Sequence, residues 1–327
     1  MNKLKIAVIG TGHLGSIHAK LWKNQQNVEF VGIYDIDTER SMKIASDLNC
    51  SYFESLDVAI SASDAITIAV PTSLHFDISM KCINANKHCF IEKPITSTYE
   101  EASKLIITAN EKGVLLSVGH VERFNPAIVA LEQYSIKPLF IESHRLSQFK
   151  PRAIDVSVIH ALMIHDIDLV LWLVKSKVTS IDANGVSVLT DTTDIANVRL
   201  KFENGAVANL TASRISANAM RKMRIFQQDA YFSIDFGKPN VDVFRLIADD
   251  EELNQNSIHA SQLGILDAGI KNKNIYFEKP EMPQSNAIAE EQRAFVDSIV
   301  NNLAAPVTAA DAAEALRIVE IISDQIK

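Results

Sequence analysis

The chain of 327 residues is poor in cysteine, and its three cysteines, Cys50, Cys82 and Cys89, include no C-x-x-C pair. An odd number without that spacing builds neither a disulfide frame nor a thiolate zinc site, and it reads as reduced thiols in a cytoplasmic protein. Long apolar runs are also missing. No stretch reaches ~18 uninterrupted apolar residues, so no membrane span is expected, and the opening MNKLKIAVIGTG is too short an apolar run for a signal peptide. Positive charge is in deficit: Lys+Arg 32 against Asp+Glu 40 gives a formal net charge of −8. That balance excludes nucleic acid or an anionic membrane as the principal partner. Internal repeats and low-complexity tracts are absent as well. What remains is 47% hydrophobic and 22% charged, enough to bury a core, and a prior of about 150 residues per domain predicts two domains.

The first 120 or so residues alternate strand and helix signals. LKIAVI (4–9), VEFVGIYD (28–35), SYFE (51–54), AITIAV (65–70), HCFIE (88–92) and VLLSVG (114–119) read as strands. Helical patterns lie between them over 13–23, 38–48 and 73–85, and Ser97 with Glu100 forms a capping box for a helix that Gly113 closes. Continuously apolar strands separated by helices imply a parallel sheet covered on both faces. After Arg123 the character changes. A helical piece over 126–134 and a greasy helix over 158–174 precede strands that alternate apolar and polar residues, with Asn204-Gly205 marking a hairpin. The stretch 249–274 reads as a polar surface excursion, and helices over 288–301 and 309–326 finish the chain. The predicted fold is α/β: a doubly wound Rossmann sheet in residues 1–122, then an α+β domain with a largely antiparallel open sheet in 123–327.

Gly10-Thr11-Gly12-His13-Leu14-Gly15 matches G-x-G-x-x-G between the first strand and the first helix, where that pattern binds a dinucleotide pyrophosphate on helix amides. Asp35 ends the second strand, where a carboxylate accepts from a ribose 2′-OH and repels a 2′-phosphate. NAD is therefore favoured over NADP, with Asp37 as a nearby substitute. Ligands of such sheets lie beyond the strands' carboxyl ends. That edge collects Pro71-Thr72 and His75 after the fourth strand, Glu92-Lys93-Pro94 after the fifth, and His120 and Arg123 after the sixth. Glu-Lys-Pro recurs at 278–280, so position singles out Lys93: it follows a buried strand, whereas Lys279 lies in a polar stretch.

These features together resemble the Gfo/Idh/MocA oxidoreductases: the glycine loop, Pro71-Thr72, Glu92-Lys93-Pro94, the histidine-bearing helix and the ending VTAADAAEALRIVE. The likeness covers essentially the whole chain. VGHVERFNPA, LMIHDIDL and DIANVRLKFENGAVANLTASRI look like the branch of UDP-N-acetylglucosamine 3-dehydrogenases, which supply an amino sugar for lipid A. The resemblance implies Lys93 and His165 as the catalytic pair beside nicotinamide and substrate. A histidine suits the removal of a hydroxyl proton, and a lysine suits stabilisation of the oxygen or relay of the proton. Where the family usually has aspartate four residues before this histidine, the chain has Ala161, with His160 adjacent. Arg123, Arg152 and His160 are further candidate substrate contacts. Lys150, Arg214 and the cluster Arg221-Lys222-Arg224 are cations suited to a diphosphate. His165 and Asp168 have ligand-like spacing with His160 nearby, yet no third and fourth ligand follow, so no metal is expected.

The implied activity is oxidation of a sugar ring hydroxyl, with UDP-N-acetylglucosamine as first choice. The alternatives are another sugar or an inositol, and, because of Ala161, a non-catalytic NAD-binding sensor or scaffold. An antiparallel sheet with one open face predicts a homodimer or homotetramer through the second domain.

Overall fold

Apolar strands flanked by glycine and polar turns can be buried on both faces only if helices cover them. The computed structural model, which describes residues 3–151, 155–248, 261–266 and 273–326, has this layering in the first of two compact units. That unit comprises Met1–Val121 with Asn286–Arg317. In chain order it contains β1 (Leu4–Ile9), α1 (His13–Asn24), β2 (Val28–Tyr34), α2 (Thr38–Leu48), β3 (Ser51–Tyr52), α3 (Leu56–Ala62), β4 (Ala65–Ile68), α4 (His75–Asn84), β5 (His88–Glu92), α5 (Tyr99–Lys112) and β6 (Leu116–Gly119). The strands are parallel, in the order β3-β2-β1-β4-β5-β6. The chain therefore reverses its winding between β1 and β4, which is where a doubly wound sheet opens a crevice. Ile6, Val8, Trp22 and Phe90 are buried together with Phe295 from the late helix over 287–300.

Two sequence expectations shift in this unit, and one helix is added. The capping box is Thr98 with Glu101, one residue later than Ser97 and Glu100. The two pairs have the same spacing, and the backbone turn at Thr98 decides between them. The helix expected over 73–85 divides into a 3₁₀ turn, Thr72–Leu74, and α4. Helix α3, capped by the Ser55 hydroxyl accepting from the Val58 N–H, was not predicted.

The second unit comprises Glu122–Ser285 and Ile318–Lys327. The contiguous division at 122/123 thus differs from the structure, in which Asn286–Arg317 belong with the nucleotide-type sheet. A short helix α6 (Pro126–Val129) is followed by β7 (Phe140–Leu146), a π-helical turn Ile159–Met163 and α7 (Ile164–Val174). Then come β8 (Val178–Val186), β9 (Ile195–Phe202), β10 (Val207–Ser213), β11 (Met220–Phe226), β12 (Ala230–Asp235), β13 (Asn240–Ala248), β14 (Ser261–Leu266) and β15 (Lys273–Glu278). The last helices are α8 (Ala287–Val300) and α9 (Ala309–Ile326). The nine strands form one sheet, β14-β15-β13-β12-β11-β7-β10-β9-β8. It is antiparallel throughout except where β7 pairs with β10. The Asn204-Gly205 hairpin joins β9 to β10, with Gly205 at φ +86, the backbone region that this turn chemistry demands. Two strands, β14 and β15, lie in and beside the stretch expected to be irregular. The rest of that stretch, 249–260 and 267–272, is outside the described residues.

The sheet's two faces differ. On β7, Ile141, Ser143 and Arg145 are buried and alternate with half-buried Phe140, Glu142 and His144. Helix α7, with Ile164, Ile167, Leu169, Val170 and Leu173 buried, covers the inner face. On the outer face a ladder of rings runs across five strands: Phe140 to Phe226 (5.7 Å between centroids), Tyr231 (4.7 Å), Phe244 (5.6 Å) and Phe277 (5.1 Å).

Candidate active site

The glycine loop is shaped by close approaches that only glycine tolerates. Gly10 sits at φ +89, and a Cβ there would stand 2.5 Å from the Ala69 carbonyl oxygen; a Cβ on Gly15 would stand 1.9 Å from the Gly10 oxygen. The middle glycine is different. A Cβ on Gly12 would meet nothing within 4 Å, so open space lies at the start of α1, whose N-cap has no capping side chain. Backbone amides at a 12-residue helix's N-terminus, with free space before them, fit a dinucleotide phosphate. His13 and Leu14 are exposed at the rim, as is Pro71, while Thr72 is half-buried.

At the end of β2 Asp35, expected to accept from a ribose hydroxyl, already has partners within the fold. Its carboxylate is buried, and one oxygen accepts from the Thr11 N–H and from the Thr11 hydroxyl at 2.9 Å. The other oxygen accepts from the Asp37 N–H and the Arg40 guanidinium, each at 2.9 Å. Burial pushes its pKa up, but these bonds outweigh that and hold it below the usual aspartate value. A carboxylate has about four acceptor sites, so a ribose hydroxyl would share oxygens that Thr11 and Arg40 already use. Asp37 caps α2 by accepting from the Arg40 N–H, so it is a structural cap and no ready substitute.

The carboxyl-end row is held by side chains that reach between loops. His75 is 1% exposed, and its ring nitrogens lie 2.8 Å from the Pro94 carbonyl oxygen and 3.0 Å from that of Val70. This histidine, expected to touch cofactor, ties the fourth-strand loop to the fifth through its two ring nitrogens. Burial depresses its pKa, against the opposing pull of those carbonyls. Glu92 is likewise engaged: Oε1 lies 2.7 Å from His18 Nε2, and Oε2 accepts from the Lys93 N–H at 3.2 Å. Lys93 itself is half-buried, and His120 is buried just past β6. The second Glu-Lys-Pro is built otherwise: buried Glu278 accepts from the Tyr134 hydroxyl at 3.0 Å, and Lys279 faces Asp242 at 3.6 Å with half its side chain exposed. Burial and Glu278 push the Tyr134 pKa up.

In the second unit the acids of the greasy helix have partners that sequence reasoning missed. Asp166 takes the Arg145 guanidinium at 2.7 and 3.2 Å and the Ser143 hydroxyl at 2.9 Å. Arg145 also reaches Glu122 at 2.7 Å. Burial would lower the Arg145 pKa, but the two acids outweigh it and drive it upward. Asp168 holds Arg123 through two bonds, 2.9 and 2.6 Å, and Arg123 lies over the Trp172 ring. Arg123, expected to bind substrate, is bonded to Asp168, and both are buried. The inward position of Arg145 on an alternating strand was the available signal for the first of these pairs.

His165 is half-buried on α7. The segment before it is a π turn, in which the Ile164 N–H donates to the Ile159 carbonyl five residues back. A π turn holds one more residue than an α turn, so the α-helical spacing that sets Ala161 one turn before His165 is interrupted in this segment. His160 Nδ1 lies 3.0 Å from the Ser157 hydroxyl. Both line a cleft of about 560 Å³ with Asp155, Asp191, Thr192 and Ser323 among its walls. Arg214, expected to bind diphosphate, pins two backbone segments of this cleft, donating to the Val156 and Thr193 carbonyls, and lies 3.4 Å from Asp194. Burial pushes the Asp194 pKa up, but the N–H groups of Leu189, Val188 and Thr190 and the Thr190 hydroxyl hold it at about 2. Among the other cations, Arg224 pairs with Glu142 and Lys222 with Asp235, on the face away from α7. Lys150 is exposed, and Arg152 lies outside the described residues. Among the described residues there is no cluster of three His, Cys, Asp or Glu side chains able to hold a metal, and no helix is long and apolar enough to cross a membrane.

Comparison with known proteins matches both parts of this architecture. Residues 4–120 match the model of the oxidoreductase family with an NAD-binding Rossmann fold, and residues 138–233 match the Gfo/Idh/MocA C-terminal domain. The UDP-N-acetylglucosamine 3-dehydrogenase of Acidithiobacillus ferrooxidans is 42% identical over 237 residues, covering 72% of this chain and 75% of that protein. The scyllo-inositol 2-dehydrogenase (NAD(+)) of Bacillus subtilis is 28% identical over 66% of this chain and 68% of its own. The solved structure of the Acidithiobacillus enzyme superposes with a TM-score of 0.88 at 33% identity, covering 100% of this chain and 98% of that one. With a glycine loop open at Gly12, a Glu-Lys-Pro at the carboxyl end of β5 and both family domains in order, the chain belongs to the Gfo/Idh/MocA oxidoreductases.

Proposed function

We propose that the protein oxidises the C3 hydroxyl of UDP-N-acetylglucosamine, with NAD as cofactor and with Lys93 and His165 handling the hydroxyl proton. The observation that carries this reading is the likeness to the Acidithiobacillus UDP-N-acetylglucosamine 3-dehydrogenase, 33% identical in its solved structure over the full length of this chain. The dinucleotide, when bound, supplies the acceptor for the hydride. His165 takes the hydroxyl proton as general base, since an imidazole titrates near neutrality. The Lys93 ammonium stabilises the charge that develops on the oxygen. Gly10, Gly12 and Gly15 shape the phosphate loop, with Thr11, His13, Leu14, Pro71, Thr72 and His120 around it. Arg40 lies 2.9 Å from Asp35 and 3.5 Å from Asp37; its charge is balanced by two carboxylates, which favours NAD over a 2′-phosphorylated cofactor. His160 contacts the sugar nucleotide in place of the missing aspartate. The protein works in the cytosol, where its three thiols stay reduced, and its keto product feeds an amination toward the amino sugar of lipid A.

The test is a substrate panel with NAD and NADP. NADH is expected to form with UDP-N-acetylglucosamine and not with free N-acetylglucosamine, glucose or myo-inositol. Reduction of the cofactor by inositol or a free sugar alone would replace this substrate with a polyol.

We propose further that the protein is a homo-oligomer through the outer face of the nine-stranded sheet. The support is the ring ladder Phe140, Phe226, Tyr231, Phe244 and Phe277, whose aromatic area is part-exposed on the face away from α7. Light scattering should give a multiple of the 36.1 kDa chain mass, and Tyr231→Glu should lower it. A monomeric wild-type mass refutes the interface.

A further inference from the structure

The buried imidazole of His18 has no part in the chemistry assigned above, yet it stands where three elements meet. It lies on α1, one turn past Gly15, and is 0% exposed. Its Nε2 is 2.7 Å from Glu92 Oε1 at the end of β5, and its Nδ1 is 3.0 Å from Gln292 Nε2 on α8. The direction of this chain of bonds follows from one contact. Gln292 Nε2 also lies 3.2 Å from the His18 carbonyl oxygen, which can only accept, so this atom is the amide N–H₂ and not the oxygen. Gln292 Oε1 then accepts from Gln25 Nε2 at 3.1 Å. His18 Nδ1 must therefore accept from Gln292, the ring proton sits on Nε2, and it is donated to Glu92. The other Glu92 oxygen receives the Lys93 N–H at 3.2 Å. Gly119 makes room for this carboxylate: a Cβ there would stand 3.2 Å from it.

We infer that His18 is a positioning residue for Lys93, fixing the Glu92 carboxylate, and with it the backbone that carries the lysine, against the helix that begins at the glycine loop. This rests on the catalytic assignment of Lys93. Glu92 is 9% exposed, and a buried carboxylate that loses a donor either reorients to find another or stays under-satisfied. Either change moves the anchor of the Lys93 N–H by a fraction of a bond length, and a misplaced catalytic group is costly in rate. The glycine loop keeps its own bonds, because nothing in it depends on the His18 ring. The signature is thus a loss in kcat without a loss in cofactor affinity.

The experiment compares His18→Leu, which removes the donor, with His18→Gln, whose amide N–H₂ reaches the place of Nε2. His18→Leu is expected to lower kcat by about tenfold or more, with KM for the sugar nucleotide and Kd for NADH unchanged. His18→Gln should restore most of the rate. A wild-type kcat in His18→Leu overturns the inference, as does a parallel loss of NADH affinity or a His18→Gln variant as slow as His18→Leu. Should His18→Leu fail to fold, Gln292→Leu carries the test by removing the donor that fixes the ring tautomer: a several-fold lower kcat supports the relay, and an unchanged one overturns it. Lys93→Ala is measured alongside. If it too turns over normally, the assignment of Lys93 has failed; if it is dead while His18→Leu is fully active, only the positioning role has.

Discussion

Lys93→Ala is expected to lower kcat by about 100- to 1,000-fold, the range seen when a donor that stabilises a developing oxyanion is removed, while the Kd for NADH stays unchanged. The split follows from where the residue sits. Its backbone N–H, bonded to Glu92 Oε2, survives the substitution, so the loop after β5 keeps its anchor. The proposed phosphate loop is shaped by Gly10, Gly12 and Gly15, which the mutation does not touch. Steady-state turnover of UDP-N-acetylglucosamine and fluorescence titration with NADH measure the two quantities separately. Retention of more than a tenth of the wild-type kcat would remove Lys93 from the chemistry. Lys93→Arg then divides the two roles open to the lysine. A guanidinium keeps the charge but does not give up its proton. Partial activity in Lys93→Arg means electrostatic stabilisation, and a variant as slow as alanine means proton relay.

The first unit was largely legible because its strands are buried on both faces and its turns carry glycine or caps. β1, α2 and β5 have the bounds read from the sequence, since in each an apolar run stops at a residue with a specific backbone role. What was not legible was the use made of each polar side chain. Asp35, His75 and Arg123 stand at the expected ends of their strands, yet their polar atoms are taken by Thr11 and Arg40, by two carbonyls, and by Asp168. Sequence position tells which edge a residue occupies; it does not tell what the residue meets there, because the partner arrives from another part of the chain. His18 shows the converse. Helical periodicity puts it on the buried stripe with Gly15 and Trp22, and a histidine in such a stripe must find partners.

Repeated short motifs mark the same limit. Asn-Gly occurs at 204–205, where it turns a hairpin with Gly205 at positive φ, and again at 184–185, inside β8. There glycine is needed for a different reason: a Cβ would stand 2.7 Å from Thr193 and 2.8 Å from Ile326. The Glu-Lys-Pro pair divides similarly, with Glu92 on His18 and Glu278 on Tyr134. The π turn before His165 left no trace in the sequence. Residues 158–174 keep an apolar pattern that an α-helix would satisfy equally well, and one added backbone residue leaves side-chain types unchanged.

The other large expected effect concerns stability. Arg145→Ala should cost about 3–5 kcal/mol, the range for removing one partner of a buried ion pair. This arginine serves Asp166, Glu122 and, through Asp166, the Ser143 hydroxyl, and all four side chains are about nine-tenths buried or more. The loss arises from the acids left behind more than from the attraction removed. Desolvated carboxylates without their cation must take up protons or draw water into the core. A variant that removes charge on both sides, Arg145→Met with Asp166→Asn and Glu122→Gln, should therefore be more stable than Arg145→Ala alone, although it lacks every ionic bond of the cluster. Urea unfolding followed by the fluorescence of Trp172, with Trp22 replaced by Phe in all variants, reports on this unit. If the triple variant is less stable than Arg145→Ala by the sum of further losses, the attraction itself outweighs desolvation. If Arg145→Ala costs under about 1 kcal/mol, as at an exposed pair, water reaches the cluster. The predicted order, with the single variant least stable, identifies the acids of the histidine-bearing helix as structural charges. Their partners hold α7 on the sheet, and His165 with it.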